Sequence, residues 1–306
     1  MIKNATILVT DRCNSKCRMC NIWNTDKKSY EMTPEEYREM FSREEFKDLD
    51  DINISGGEAL LREDIYEVVE AIMDKRYVEM FFLSTNGTNP RKALEVAKIA
   101  QKYAKKVFVA ISIDGDKEIN RKVRGIDSYE SAVRTINVCK EYDKNIITNI
   151  SLTLTPINTS LYVLEHIKRL AEETDSTYSF RFAYNNSTYF KNCEKNFVFN
   201  EEQRQMVGDF IEKNLLDDPF MVEQLKYIRT GKMDIIGDKQ TGIKCLAGER
   251  FVLVRPNGDI YPCINSERCI GNMKDGLKVK HIKDLGKYEI CPCCMECCVW
   301  PLISWK

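Results

Sequence analysis

The chain has 306 residues, 43% hydrophobic and 30% charged, with a formal net charge of −1, ordinary values for a globular protein of one large or two small domains. So even a charge balance argues against nucleic acid or an anionic membrane as partners, and no apolar run reaches the roughly 18–20 residues that span a bilayer. One early lysine followed by the polar Thr10-Asp11-Arg12 is no secretory signal, so a cytoplasmic protein is expected. Thirteen cysteines against two histidines then point to metal or cluster binding rather than a disulfide scaffold, which needs an oxidising compartment. His166 and His281 are read as partly solvated side chains.

In chain order, a first short strand is expected at Ala5–Val9, and directly behind it stands Cys13-x3-Cys17-x2-Cys20. Three thiolates this close cannot all pair as disulfides, but they can hold three irons of one cluster. A [4Fe–4S] site ordinarily takes four cysteine ligands. Three leave one iron open, and an open coordination position marks a catalytic metal site. A helix then opens at Thr33-Pro34-Glu35-Glu36, where Thr33 and Glu36 form a capping box and Pro34 takes the first helical position.

Further strands are expected at Asp51–Ile54, Met80–Ser84, Val107–Ile113, Ile147–Leu154 and Ser179–Ala183. Amphipathic helical patterns separate them at Arg62–Lys75, Arg91–Lys105, Tyr129–Glu141 and Ser160–Thr174. This alternation implies a parallel sheet with crossover helices. Six such units form either a doubly wound sheet or a partial barrel, and periodicity does not separate the two. Ser55-Gly56-Gly57-Glu58, Thr85-Asn86-Gly87 and Ser112 with Asp114-Gly115 follow the second, third and fourth strands, at the strand ends where parallel α/β barrels carry their chemistry.

Cys139 falls in a helical pattern and reads as core. Cys193 sits in a bridge after the sixth strand, near the barrel mouth, where Tyr184, Asn185 and Glu249 are candidates for the pocket wall. Helices are expected near Glu201–Leu215 and Pro219–Arg229, then a linker from Gly231 to Gly242. Phe251–Val254 and Ile260-Tyr261 flank Asn257-Gly258, a strong hairpin signal. Eight of the cysteines lie from Cys245 onward, among them Cys263 at the hairpin and Cys291, Cys293, Cys294, Cys297 and Cys298 near the end. Zinc and iron–sulfur clusters both use such spacing. The expected domains are 1–190, a bridge at 191–244, and 245–306.

The Cys13/Cys17/Cys20 spacing at the end of a first strand resembles that of the radical S-adenosylmethionine (radical SAM) enzymes. The resemblance implies an α/β fold with an open, partial (β/α)6 TIM-like barrel. It also implies that the open iron chelates SAM, whose reductive cleavage gives a 5′-deoxyadenosyl radical that takes hydrogen from substrate. Gly56, Gly57 and Glu58 are similar to the family's Gly-Gly-Glu motif, in which a bare backbone edge and a carboxylate hold the SAM ammonium. By the same resemblance Thr85 and Asn86 meet the ribose, and Ser112 and Arg124 the carboxylate and ribose, with Asp114 beside them or capping the next loop. Met19 stands where the family usually has an aromatic, and Trp23 is a substitute for packing against adenine. The C-terminal cysteines resemble the SPASM/twitch extension, which implies an auxiliary [4Fe–4S] cluster on Cys245, Cys263, Cys294 and Cys297, with Cys291 as the alternative. Cys193 is a weak candidate hydrogen donor. A peptide or small-molecule substrate and a low-potential electron donor of flavodoxin or ferredoxin type are the implied partners. An aminocyclitol-like alcohol dehydrogenase of the same family, an iron–sulfur carrier or assembly protein, and a zinc-bearing regulatory protein are the rival readings.

Overall fold

The computed structural model describes residues 2–24, 30–218 and 247–277, with four further positions between 221 and 228. Six strands run parallel in sequence order: β1 (Asn4–Leu8), β2 (Asp51–Ser55), β3 (Val78–Thr85), β4 (Ala104–Ser112), β5 (Ile146–Leu154) and β6 (Thr177–Phe182). Helices fill the crossovers: α1 (Pro34–Phe41), α2 (Ile65–Met73), α3 (Pro90–Ala100), α4 (Lys117–Arg124) with α5 (Tyr129–Tyr142), and α6 (Leu161–Glu173); α7 (Glu201–Asn214) follows β6. The sheet is open, with β6 at one edge, and the architecture is the expected α/β partial barrel.

The helix starts follow local chemistry. Thr33 and Glu36 close the expected capping box on α1, and Asn200 with Gln203 closes another on α7. Ser160 caps α6. The helix expected over Arg62–Lys75 is α2, shorter at both ends and preceded by a 3-10 turn at Ala59–Leu61, and α3 ends at Ala100, short of Lys105, because β4 already begins at Ala104. Helix α4 falls outside the expected helices. Its signals are short: Asp116 accepts from the Ile119 amide at the start, and Gly125 sits in the left-handed region at the end. The loop cap is thus Asp116 and not Asp114.

The β5 residues alternate strictly, with Ile146, Thr148, Ile150, Leu152 and Leu154 buried and the residues between them half-buried. The buried series of the strands packs against the helices: Ile52, Ile54, Phe81, Leu83, Val109 and Ile150 share one core with Val68, Ile72, Val96, Ile136 and Ile167. Cys139 belongs to that core. The other series faces the barrel interior, where polar side chains stand beside aromatic and aliphatic ones, while the outer shell supplies most of the hydrophobic core.

The expected hairpin forms as β7 (Phe251–Val254) and β8 (Asp259–Tyr261), followed by β9 (Gly271–Asn272) and β10 (Gly276–Leu277). β7 pairs parallel with β1, from Asn4 opposite Phe251 to Ile7 opposite Val254, so the hairpin continues the barrel sheet on its β1 side. Among the described residues no helix is long and apolar enough to cross a membrane. Cys245, Cys291, Cys294, Cys297 and His281 lie outside the described residues, as does most of the expected helix Pro219–Arg229.

Candidate active site

The C-terminal strand ends open on a cavity of about 600 Å³, within the range of small-molecule and cofactor sites. Cys13, Cys17 and Cys20 line it, together with Gly56, Gly57, Glu58, Thr85, Asn86, Ser112 and Arg124. Asp114 stands behind that wall. Tyr184, Asn185 and Glu249, expected at the pocket, do not line it; Tyr189 and Phe190 of the same loop do. The loop turns after Tyr184, whose carbonyl accepts from Asn192 Nδ2 at 3.0 Å, and brings the later aromatics inward instead. Cys193 is exposed and outside the cavity wall.

The cysteine loop is held from four sides. The Gly57 amide donates to the Thr10 carbonyl at 2.7 Å and the Glu58 amide to the Arg12 carbonyl at 2.8 Å. A Cβ on Gly57 would lie 2.3 Å from the Arg12 oxygen, so only glycine permits this approach. On the second side the Lys16 amide donates to the Arg124 carbonyl (3.0 Å) and the Arg18 amide to the Val123 carbonyl (2.8 Å). The loop thereby satisfies carbonyls that the end of α4 leaves unpaired. Gly125, at φ +69°, makes this possible, because a Cβ there would meet the Lys16 carbonyl at 2.5 Å. Asn86 Nδ2 donates to Asn14 Oδ1 (2.7 Å) and Ser15 Oγ (2.9 Å) on the third side. From the fourth, Asn192 Nδ2 donates to the Met19 carbonyl at 2.7 Å, and the Asn21 amide to the Phe190 carbonyl at 2.8 Å.

Glu58 is 2% exposed and spends both carboxylate oxygens inside the site. Oε1 accepts from Thr85 Oγ1 (2.8 Å) and the Leu60 amide (3.1 Å), and Oε2 from the Asn86 amide (2.7 Å). Burial pushes this carboxyl above its ordinary range, against the pull of those donors. Glu58 and Thr85 thus brace Asn86, which in turn grips the cysteine loop. Arg124 pairs with Asp114, Nε to Oδ2 at 2.6 Å, and places Nη1 3.8 Å from Cys17 Sγ.

Burial raises the Cys13 thiol to about 12 and the Cys20 thiol to about 11, and raises Cys17 as well. Neighbouring cysteines add to the shift at Cys13. Such thiols ionise when a cation is there to receive them. Three thiols in one cavity wall, a side-chain-free glycine edge packed beside their loop, and a cavity of cofactor size therefore fit an iron–sulfur cluster with a small ligand beside it. Met19 and Trp23 also line the cavity, and Trp23 Nε1 donates to the Cys20 carbonyl at 2.9 Å.

Deeper in, the inward faces of β5 and β6 are polar: Asn149, Ser151 and Thr153, then Thr177, Ser179 and Arg181. Asn149 Oδ1 accepts from Ser179 Oγ at 3.0 Å. Phe82 and Phe108 stack at 4.7 Å across β3 and β4, and Phe251 and Leu253 of β7 also line the interior. None of these is among the residues expected at the site; the alternation within β5 is a sequence signal for Asn149, Ser151 and Thr153. Cys263 is buried with Ala247 and Phe251 in a small cluster, next to Ile264 in the cavity wall.

Fold and site together define an α/β partial barrel with three cysteines lining the mouth of its cavity. Residues 7–170 match the family model of the Radical SAM superfamily, and the chain belongs to that superfamily. It is a radical SAM enzyme, of a family that uses SAM and [4Fe–4S] clusters. Among curated proteins it is similar to the pre-heme d1 synthase of Dinoroseobacter shibae, 33% identical over 50% of this chain and 36% of that protein. It is also similar to the subtilosin biosynthesis protein AlbA of Bacillus subtilis, 23% identical over 88% of this chain and 57% of that protein. The chain thus spans between about a third and just over half of these relatives. Among solved structures, Streptococcus suis SuiB bound to precursor peptide SuiA shares the fold with a TM-score of 0.68 at 16% identity, over 91% of this chain and 64% of that one. The anSMEcpe structure with bound AdoMet does so at 0.62 and 21% identity, over 94% and 80%.

Proposed function

We propose that Cys13, Cys17 and Cys20 hold a [4Fe–4S] cluster with one open iron, and that SAM lies between it and the Gly56-Gly57 edge. The single observation that carries this reading is that the three thiols and the glycine edge line one cavity. When bound, the cluster and SAM supply a carbon radical that takes hydrogen from substrate. The chain's own part is to bind, orient and exclude water. Met19 and Trp23 offer apolar surface to the adenine. Asn86, Thr85 and Ser112 offer polar contacts to the ribose, and Glu58 fixes Asn86 for that role. The polar β5–β6 wall with Arg181, beside the aromatic pair Phe82 and Phe108 on the adjoining strands β3 and β4, receives the substrate.

That substrate is a peptide or a small molecule, and the reaction an oxidation, cross-link or epimerisation. The similarity to AlbA over most of this chain supports the peptide. A small alcohol oxidised to a ketone is the second reading, favoured by the depth and polarity of the β5–β6 wall. An auxiliary cluster on Cys245, Cys263, Cys294 and Cys297, or with Cys291, and reduction by a flavodoxin- or ferredoxin-type donor complete the proposal. An iron–sulfur carrier has no need of the glycine edge.

Anaerobic reconstitution tests this reading. With dithionite and SAM the protein is expected to form 5′-deoxyadenosine, and the Cys13→Ala/Cys17→Ala/Cys20→Ala variant to form none. A cluster-loaded protein that never cleaves SAM would return the carrier hypothesis.

A further inference from the structure

Asp114 and Arg124 form the most enclosed ion pair of the described structure, with side chains 0% and 10% exposed. Asp114 is anchored at every polar group. Oδ1 accepts from the Thr153 amide at 2.8 Å, its amide donates to Asn120 Oδ1 at 2.9 Å, and its carbonyl accepts from Asn158 Nδ2 at 2.9 Å. The carboxylate therefore has one position, and the guanidinium paired with it has one orientation. The residues on either side of Cys17 are bonded to the same helix end, through the Lys16 amide to Arg124 and the Arg18 amide to Val123. The 3.8 Å from Arg124 Nη1 to Cys17 Sγ is thus fixed by backbone on one side and by a buried carboxylate on the other.

We propose that Arg124, held by Asp114, is a positioning residue for the cluster thiolate at Cys17 and sets the reduction potential of that cluster. This rests on the reading of Cys13, Cys17 and Cys20 as cluster ligands, and it is distinct from any contact of Arg124 with SAM. Reduction adds one electron, so a cation at the ligand sulfur favours the reduced form, and hydrogen bonds to cluster sulfurs act in the same direction. Asp114 neutralises part of the cation's field. Removing one or the other therefore moves the potential in opposite directions, an outcome that general loosening of the site does not produce.

The test is a redox titration without SAM, with dithionite as reductant, following the reduced cluster by electron paramagnetic resonance in a background lacking the cysteines from Cys245 onward. At the poise that half-reduces the parent protein, Arg124→Gln is expected to lower the reduced-to-oxidised ratio about tenfold, about 59 mV for one electron. Asp114→Asn is expected to raise the ratio, and Arg124→Lys to stay near the parent. Shifts of the same sign in Arg124→Gln and Asp114→Asn, or no shift with full cluster content, would overturn the inference. Should Arg124→Gln hold no cluster, Asp114→Asn decides: a raised ratio supports the inference, and an unchanged or lowered one overturns it. A signal that survives loss of Cys13, Cys17 and Cys20 would instead remove the ligand reading beneath it.

Discussion

Tyr189 donates its phenolic hydroxyl to the carbonyl of Gly56, tying the loop after β6 to the turn after β2. The half-buried ring lines the cavity, and desolvation beside Cys20 and Cys13 pushes the phenol far above its ordinary value, so it stays a neutral donor. Because the same loop grips Met19 and Asn21, this contact closes a ring around the cysteine loop. Tyr189→Phe removes one neutral hydrogen bond, worth about 1 kcal/mol. About fivefold weaker SAM binding to the loaded protein is expected in calorimetry, with iron content unchanged.

Gly57→Ala is expected to do more. Its Cβ would meet the Arg12 carbonyl carbon at 2.7 Å as well as the oxygen, and backbone cannot give way as a side-chain end does. A destabilisation of about 1–3 kcal/mol follows from overpacking of this kind. Thermal unfolding and iron per chain after desalting should both fall.

In metal-free protein the buried thiols of Cys13 and Cys20, raised to about 12 and 11, hold little thiolate near neutral pH, and only the thiolate is nucleophilic. Exposed Cys193 and Cys269 are expected to alkylate first with iodoacetamide at pH 8. Mass spectrometry should show Cys13 and Cys20 at least about a hundredfold slower, and raising the pH to 10 should speed them.

His166 gives a pH dependence outside the site. Its ring bonds to the Tyr129 hydroxyl at 3.1 Å, and burial, with Arg169 nearby, lowers its pKa below 6.5 while Asp116 and Glu173 oppose the shift. A histidine whose pKa is lowered by folding contributes stability above its unfolded value that is lost as pH falls through the folded one. Urea unfolding between pH 7 and pH 5 should therefore show a steeper loss in the parent than in His166→Gln.

Much of this was legible in the chain. Thr33 and Glu36 mark the first helix, and Cys13, Gly57 and Asn86 stand at strand ends because short strands and their turns carry local signals. The alternation of strands with helices leaves barrel and doubly wound sheet open, and the residue pattern inside β5 is what bears on the choice. A parallel strand covered by helices on both faces reads as a continuous apolar run. In β5, Asn149, Ser151 and Thr153 alternate with Ile150 and Leu152, which requires one polar face and so an interior space. What the chain did not disclose is long-range: that β7 pairs with β1, that Asn192 reaches back to Met19, and that Arg124 pairs with Asp114. Each joins segments whose local sequence is compatible with many partners.

In the proposed function the Cys13/Cys17/Cys20 cluster offers SAM an open iron. The most direct measurement is the electron paramagnetic resonance spectrum of the dithionite-reduced protein before and after SAM is added, in the parent and in Cys13→Ala/Cys17→Ala/Cys20→Ala. A cluster signal whose g-values shift on SAM addition is expected in the parent, and the variant is expected to lack that signal. A parent spectrum indifferent to SAM, or a SAM-induced shift that persists without the three cysteines, would contradict it.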